Sequence, residues 1–258
     1  MMPLPLAGRR VLVTRAVHQA GKLSDGLRAL GAEPVEVPVL EIRPPASFEP
    51  LDAALGKLDS YHWLILTSAN AVRALAERAG EPGLGLAQPD GMKVGAVGEA
   101  TAAAARSAGL QVSFVPEAYV AESLVQGLMG RIQGRRILLA RAAVARDVIP
   151  DALREAGAEV NVVDAYRNVL PEAAPEQLRL ALAQGIDAVT STSSSSATHL
   201  AEAARQAGMT WPLAGVPAVS IGPITSQTLR DLGWEPAVEA DPSDIPGLIA
   251  AVVGLLRR

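Results

Sequence analysis

The sequence predicts an α/β protein of two similar halves, each a parallel sheet flanked by helices, and three observations carry that reading. Short apolar runs such as "VLVTR", "WLILTS" and "KVGAVG" each precede a helical segment, the pattern of strands buried on both faces of a parallel sheet. Segments recur in the same order in the two halves. With 258 residues, 49% of them hydrophobic, the chain is long and apolar enough for a real core in one or two domains.

Along the chain, each half reads strand, helix, strand, Pro-rich stretch, then helix and strand in alternation, ending on a helix. The first strand lies in "GRRVLVTRA" from Gly8. In the helix after it Leu23, Leu27 and Leu30 recur at helical spacing, and Gly31 follows as the stop. "GRRILLARA" from Gly134 repeats that strand, and "LREAGAEVNVVDA" from Leu153 repeats "LRALGAEPVEVPV" from Leu27 at the same separation. "DAVTSTSSSSA" from Asp187 answers "HWLILTSANAV" from His62, and "VSIGPITSQTLRDLGW" from Val219 answers "GAVGEATAAAARSAGL" from Gly95. The register drifts there by one or two residues, as loop deletions would cause.

Two Pro-rich stretches, Pro38 to Pro50 and Tyr166 to Gln177, fall inside the repeats and not between them. If they are the interdomain crossings, one domain is discontinuous. The expected layout is then residues 1–38 with 168–258 as one α/β domain, an inserted α/β domain over 48–164, and linker crossings at 39–47 and 165–167. The rival is a tandem split near Gln133 and Gly134, which gives the Pro-rich stretches no purpose.

Composition narrows the chemistry. A formal net charge of −4 provides no global basic field for nucleic acid or an anionic membrane, so an anionic ligand must be held by local groups. With no cysteine there is no disulfide framework, thiolate nucleophile or cysteine metal site, and three scattered histidines (His18, His62, His199) disfavour a metal enzyme. The opening places its basic pair after a short Pro-broken apolar run, the reverse of a signal peptide, and no apolar run reaches spanning length. A soluble cytoplasmic protein is expected.

In an open α/β sheet ligands bind at the carboxyl ends of the strands. Four loops are readable there: "TSAN" (Thr67 to Asn70), "GEAT" (Gly98 to Thr101), "STSSSS" (Ser191 to Ser196) and "GPIT" (Gly222 to Thr225). Their hydroxyl residues and glycines supply N-caps and close backbone approach, and the free N–H groups of the following helices favour carboxylate or phosphate. For any single serine or threonine, capping alone is the simpler role; four matched loops in two halves favour a ligand-facing one. Arg15, at the end of the first strand, and Arg141 and Arg146, after its repeat partner, are candidate anion holders, against the alternative of a solvated strand end. Tyr166, one of three tyrosines, heads the second crossing, where a phenol serves as donor or weak acid, or simply packs on a linker. No GxGxxG or GxxxxGK[ST] sits at a strand-to-helix turn, and no hydroxyl has a His and acid set for a serine hydrolase.

"VLVTR", "GAEPVEVPVLEI", "ILTSANAV", "VGEATA", "PEAYVAESL", "VVDAYRNV" and "SIGPITSQTLRDLGWEP" are individually weak signals. In their order and spacing, over nearly the whole chain, they resemble the uroporphyrinogen-III synthase family of tetrapyrrole (haem) biosynthesis. The resemblance implies two flavodoxin-like α/β domains joined by a two-stranded linker, with the active site in the interdomain cleft. It implies a lyase that needs no cofactor and no metal, closing linear hydroxymethylbilane (preuroporphyrinogen) with loss of water and inversion of ring D through a spiro intermediate. Tyr166 then matches the family tyrosine that assists hydroxyl departure. Thr67, Ser68, Asn70, Thr101, Ser193, Ser195 and Thr225 match positions in the cleft loops, and Arg146 a basic residue after the second repeat's first strand. Two departures stand out: "AAVA" (Ala142 to Ala145) replaces a glycine-rich turn, and Ser194 replaces a proline.

The expected ligand is a linear tetrapyrrole, with no nucleic-acid or membrane partner, a monomeric state, and hydroxymethylbilane synthase as a transient partner. Another class stays open, a two-domain binding protein for an acidic small molecule; a nucleotide-dependent oxidoreductase rests on fold analogy alone.

Overall fold

The computed structural model describes residues 4–116, 121–145 and 147–257, with only the backbone described for 17–19 and 121–122. The chain runs through β1 (Arg10–Val13), α1 (Val17–Ala29), β2 (Glu33–Glu36), β3 (Glu41–Arg43) and α2 (Glu49–Leu55). It continues with β4 (Trp63–Leu66), α3 (Ala69–Ala79), β5 (Lys93–Ala96), α4 (Glu99–Ser107), β6 (Val112–Phe114), α5 (Ala121–Leu128), β7 (Arg136–Ala142), α6 (Val148–Glu155) and β8 (Glu159–Val169). It closes with α7 (Ala174–Ala183), β9 (Ala188–Ser191), α8 (Ser194–Gln206), β10 (Ala218–Ser220), α9 (Pro223–Asp231), β11 (Val238–Glu239) and α10 (Ile245–Leu256).

Two compact units result: one from residues 1–41 with 169–258, the other from 42–168. The first holds a five-stranded sheet in the order β11-β10-β9-β1-β2, all of whose pairings are parallel. Numbered within the unit this is 2-1-3-4-5, the flavodoxin-like order. The second holds six strands in the order β3-β8-β7-β4-β5-β6. Beyond β3, this is the same arrangement with the chain entering at a different strand: β7 stands where β1 stands, β8 for β2, and β4 for β9. The sequence repeats therefore equate strands at matching sheet positions.

Both sheets are buried on both faces, which is why their central strands carry no polar alternation. In the first unit Leu12, Val189, Leu200 and Leu229 form one apolar layer and Val11, Val13, Leu23 and Leu248 the other. In the second, Leu64, Leu66, Val72 and Leu138 pack on one face, and Trp63, Ile65, Ile137 and Leu153 on the opposite one. Adjacent residues of each strand thus serve opposite layers. Leu23 and Leu27 of α1 are fully buried, and Gly31 ends that turn with φ +92°, a conformation repeated by Gly157 at φ +84° after α6. Where hydroxyls enter the sheet they are satisfied by neighbouring strands. Thr14 Oγ1 donates to the Thr190 carbonyl at 2.8 Å, and Thr190 Oγ1 to the Leu12 carbonyl at 3.0 Å.

Leu64, fully buried on a central strand, reports on this packing. Leu64→Ala is expected to cost roughly 2–5 kcal/mol in urea unfolding; a loss below about 1 kcal/mol would mean the layer repacks.

Candidate functional site

In the 42–168 unit the apolar run of β4 ends at Leu66, and Thr67 and Ser68 lead into α3. Ser68 is the N-cap of α3, extended at φ −157° and ψ 155°, and its Oγ accepts the Ala71 N–H at 3.1 Å. The same Oγ lies 3.1 Å from the phenol oxygen of Tyr166, and either oxygen is able to donate. Asn70 occupies the first turn of α3, half-buried.

A shift in the β7–β8 ladder places Tyr166 there. Arg141 is opposite Asp164 but Ala142 is opposite Tyr166, so Ala165 is an extra residue on β8. The bulge lets two consecutive residues, Ala165 and Tyr166, both turn inward onto the layer that holds Leu64 and Leu66. Tyr166 is only 6% exposed, which differs from a tyrosine standing open at the head of a crossing. Its ring is core and its hydroxyl is bound to Ser68.

Thr67 and Arg141 come together in a cavity of about 190 Å³ whose other walls include Leu139, Ala145, Val148 and Ile149. The Arg141 side chain is 13% exposed, and its Nη2 meets Asp147 Oδ1 at 2.7 Å. Asp147 is the N-cap of α6, yet its carboxylate makes no cap bond; it serves Arg141 instead. Sequence reasoning missed Asp147, although an acid six residues beyond a strand-end arginine is a findable signal. Val144, at the tip of the "AAVA" loop, is 85% exposed. Arg146 lies outside the described residues.

In the other unit, β9 hands over to α8 through Thr192 and Ser193. Ser193 is the N-cap and Ser196 completes a reciprocal capping box. Ser196 Oγ accepts the N–H groups of Ser193 and Thr192 and donates to the Ser193 carbonyl, so it is a buried structural residue. Ser194 accepts from Thr228 Oγ1 at 2.8 Å, tying α8 to α9. Ser193 spends one lone pair on the Ser196 N–H, which leaves its hydroxyl proton to donate. Ser195 is half-buried and, among the described residues, makes no side-chain hydrogen bond. Ser196 thus spends its proton inside the turn, while Ser193 and Ser194 act as acceptors there and keep theirs.

Thr101 and Thr225 occupy the third position of α4 and α9 and are 6% and 4% exposed. The helical phase turns them toward the sheet, so they offer little surface to a ligand. At the α9 N-cap a side chain on Gly222 would come within 2.6 Å of Ser243 Oγ, so glycine is needed for close packing there.

Arg15 follows β1 and precedes α1, whose N-cap, Ala16, makes no side-chain cap bond. The guanidinium is half-buried, its Nε has no partner among the described residues, and burial lowers its pKa below the usual arginine value. An underpartnered cation beside an uncapped helix start suits a carboxylate. His62 Nδ1 accepts the Arg136 N–H and His199 Nδ1 bonds to the Val39 carbonyl, both structural contacts. Among the described residues, no cluster of three His, Cys, Asp or Glu side chains is arranged to hold a metal. None of the described helices is long and apolar enough to cross a membrane.

A family model described as Uroporphyrinogen-III synthase HemD matches residues 21–250. The chain belongs to the uroporphyrinogen-III synthase family. Its relatives include a uroporphyrinogen-III synthase of Synechococcus elongatus, 35% identical over 98% of this chain and 97% of that protein. A putative uroporphyrinogen-III synthase of Methanothermobacter thermautotrophicus is 34% identical over 93% and 96%. Among solved structures, a mutant uroporphyrinogen III synthase of Thermus thermophilus matches with a TM-score of 0.70 at 22% identity, covering 97% of this chain and 99% of that one. The Helicobacter pylori enzyme matches at 0.65 with 18% identity, over 96% and 99%. These likenesses establish the family's two-domain α/β fold for this chain.

Burying the Arg15 guanidinium with its Nε unpartnered among the described residues costs stability. Arg15→Met is expected to raise the melting temperature of the ligand-free protein by roughly 2 °C or more; a fall would mean that the guanidinium is already satisfied.

Proposed function

We propose that this chain cyclises hydroxymethylbilane to uroporphyrinogen III, losing water and inverting ring D. Family membership over nearly the whole chain supports the reaction. The observation that carries the site is the Tyr166 phenol, held 3.1 Å from the Ser68 N-cap hydroxyl and lining a cavity of about 280 Å³ with Arg43, Pro44 and Arg78.

The reaction is a dehydration and rearrangement with no net oxidation, so it calls for no electron carrier. Tyr166 donates its proton to the departing hydroxyl, which leaves as water, and the pyrrole nitrogen's lone pair makes the azafulvene cation. Ring D attacks through its substituted carbon to give the spiro intermediate, and fragmentation and reclosure yield the inverted isomer. Uncatalysed closure gives the uninverted isomer, so most of the enzyme's task is to fold the chain and select the attacking carbon.

The bilane carries many carboxylates and the protein is net acidic, so local donors must hold them. Arg15 and Arg141 with Thr67, the hydroxyls of Ser193 and Ser195, and the first turn of α3 at Asn70 are the holders we assign, with Arg146 added from the sequence. Thr101 and Thr225 brace α4 and α9, each of which begins at the carboxyl end of a strand of its own unit. These donors are mostly neutral and preset, which lets charge be held without a basic surface. The ready uncatalysed closure of the bilane supports a transient encounter with hydroxymethylbilane synthase, which makes it.

Freshly generated hydroxymethylbilane supplied to the purified protein should yield uroporphyrinogen III; recovery of the uninverted isomer alone would refute the assignment and leave a binding protein. Tyr166→Phe is expected to lower kcat by roughly tenfold or more, with the melting temperature held because the ring stays in the core. Unchanged turnover would assign Tyr166 to packing.

A further inference from the structure

We infer that Ser68 is a positioning residue for Tyr166, linking the N-terminus of α3 to the phenol through a one-way chain of hydrogen bonds. The inference rests on the reading above, in which Tyr166 gives its proton to the departing hydroxyl.

Proton counting sets the direction of the chain. Ser68 Oγ has one proton and two lone pairs, and the Ala71 N–H occupies one lone pair at 3.1 Å. If Tyr166 gave its only proton to Ser68, the phenol would have none for substrate. If Ser68 donates across the 3.1 Å contact, the phenol proton remains available. The donors then all point one way: Ala71 N–H to Ser68 Oγ, Ser68 O–H to Tyr166 Oη, and Tyr166 O–H to the leaving oxygen. Each accepted bond polarises the next donor, and the chain begins at the positive end of a helix. When the carbon–oxygen bond breaks, its electron pair leaves with the oxygen, the phenol proton completes the water, and the phenolate keeps the Ser68 bond. The proton released at reclosure of the macrocycle returns to the phenolate and restores Tyr166.

The repeat supplies an independent contrast. Ser193 is the matching N-cap of the other unit, but there Ser196 closes a reciprocal box around it. In α3 the matching position is Ala71, which has no hydroxyl to close such a box, and the cap serine meets a tyrosine instead. The bulge on β8 is what turns Tyr166 toward it. One cap thus locks its own loop while the other holds a reacting group.

The test uses the full chain, initial rates with freshly generated hydroxymethylbilane, and product isomer analysis. Ser68→Gly removes the hydroxyl while leaving a tolerated N-cap, and melting curves verify the fold. It should lower kcat by roughly tenfold, a part of the ~10²–10⁴ that a positioned acid contributes, with KM within about twofold. Ser68→Thr keeps hydroxyl and cap and should restore most of kcat. In a Tyr166→Phe background, Ser68→Gly should cause no further loss, because the two act as one unit. An unchanged kcat in Ser68→Gly, a change in KM alone, or losses that multiply in the double variant would each overturn the role. If the unmodified chain forms only the uninverted isomer, the functional reading has failed; if it forms uroporphyrinogen III and Ser68→Gly equals it, only this inference has.

Discussion

A parallel sheet buried on both faces must pass each strand into a helix, and each helix begins with amides that have no partner inside it. In this protein that constraint recurs at the carboxyl ends of β1, β4, β5, β9 and β10, and the local sequence answers it in three ways. Ser68 and Ser193 cap with hydroxyls, α4 and α9 begin at glycine, and α1 begins at an alanine beside a half-buried arginine. The donors left over are what a ligand rich in carboxylates requires. Fold and the proposed binding chemistry therefore share one cause, one that needs no net basic charge on the chain.

The duplicated architecture shows where the two units depart from one another on that frame. At matching positions the two units place a serine cap, yet one is closed by Ser196 and the other meets Tyr166. An extra residue on β8, Ala165, re-aims the tyrosine, and an alanine at position 71 leaves the cap without a reciprocal partner. Arg141 shows a similar economy: the acid that starts α6 neither caps nor stands free but holds the guanidinium at the edge of the Thr67 cavity. In both cases a residue at a helix start positions a side chain, Ser68 while still capping α3 and Asp147 in place of capping α6.

The central strands were legible because burial on both faces writes them as unbroken apolar runs, "WLIL" in β4 and "ILLA" in β7. The strand-to-helix loops were legible for the same reason, as the first hydroxyls after such runs. The polar β3 and the two-residue β11 give no comparable pattern, since short edge strands rely on neighbours for their identity. The burial of Thr101 and Thr225 depends on the phase of the helix against the sheet, and the Ser194–Thr228 bond on how α8 lies against α9. The inward turn of Tyr166 depends on a bulge that only the register with β7 defines. Residue type and spacing find the loops; which hydroxyl faces outward is decided by packing.

The central claim is that the carboxylates of the tetrapyrrole are held where strands end and helices begin. Amide chemical shifts of isotope-labelled protein, titrated with uroporphyrinogen III under anaerobic reducing conditions, test it residue by residue. The account predicts the largest shifts at Thr67 to Ala71, at Ser193 to Ser196 and around Arg15 and Arg141. Shifts concentrated instead at the opposite strand ends, around His62, Arg136 and Asp187, would contradict it.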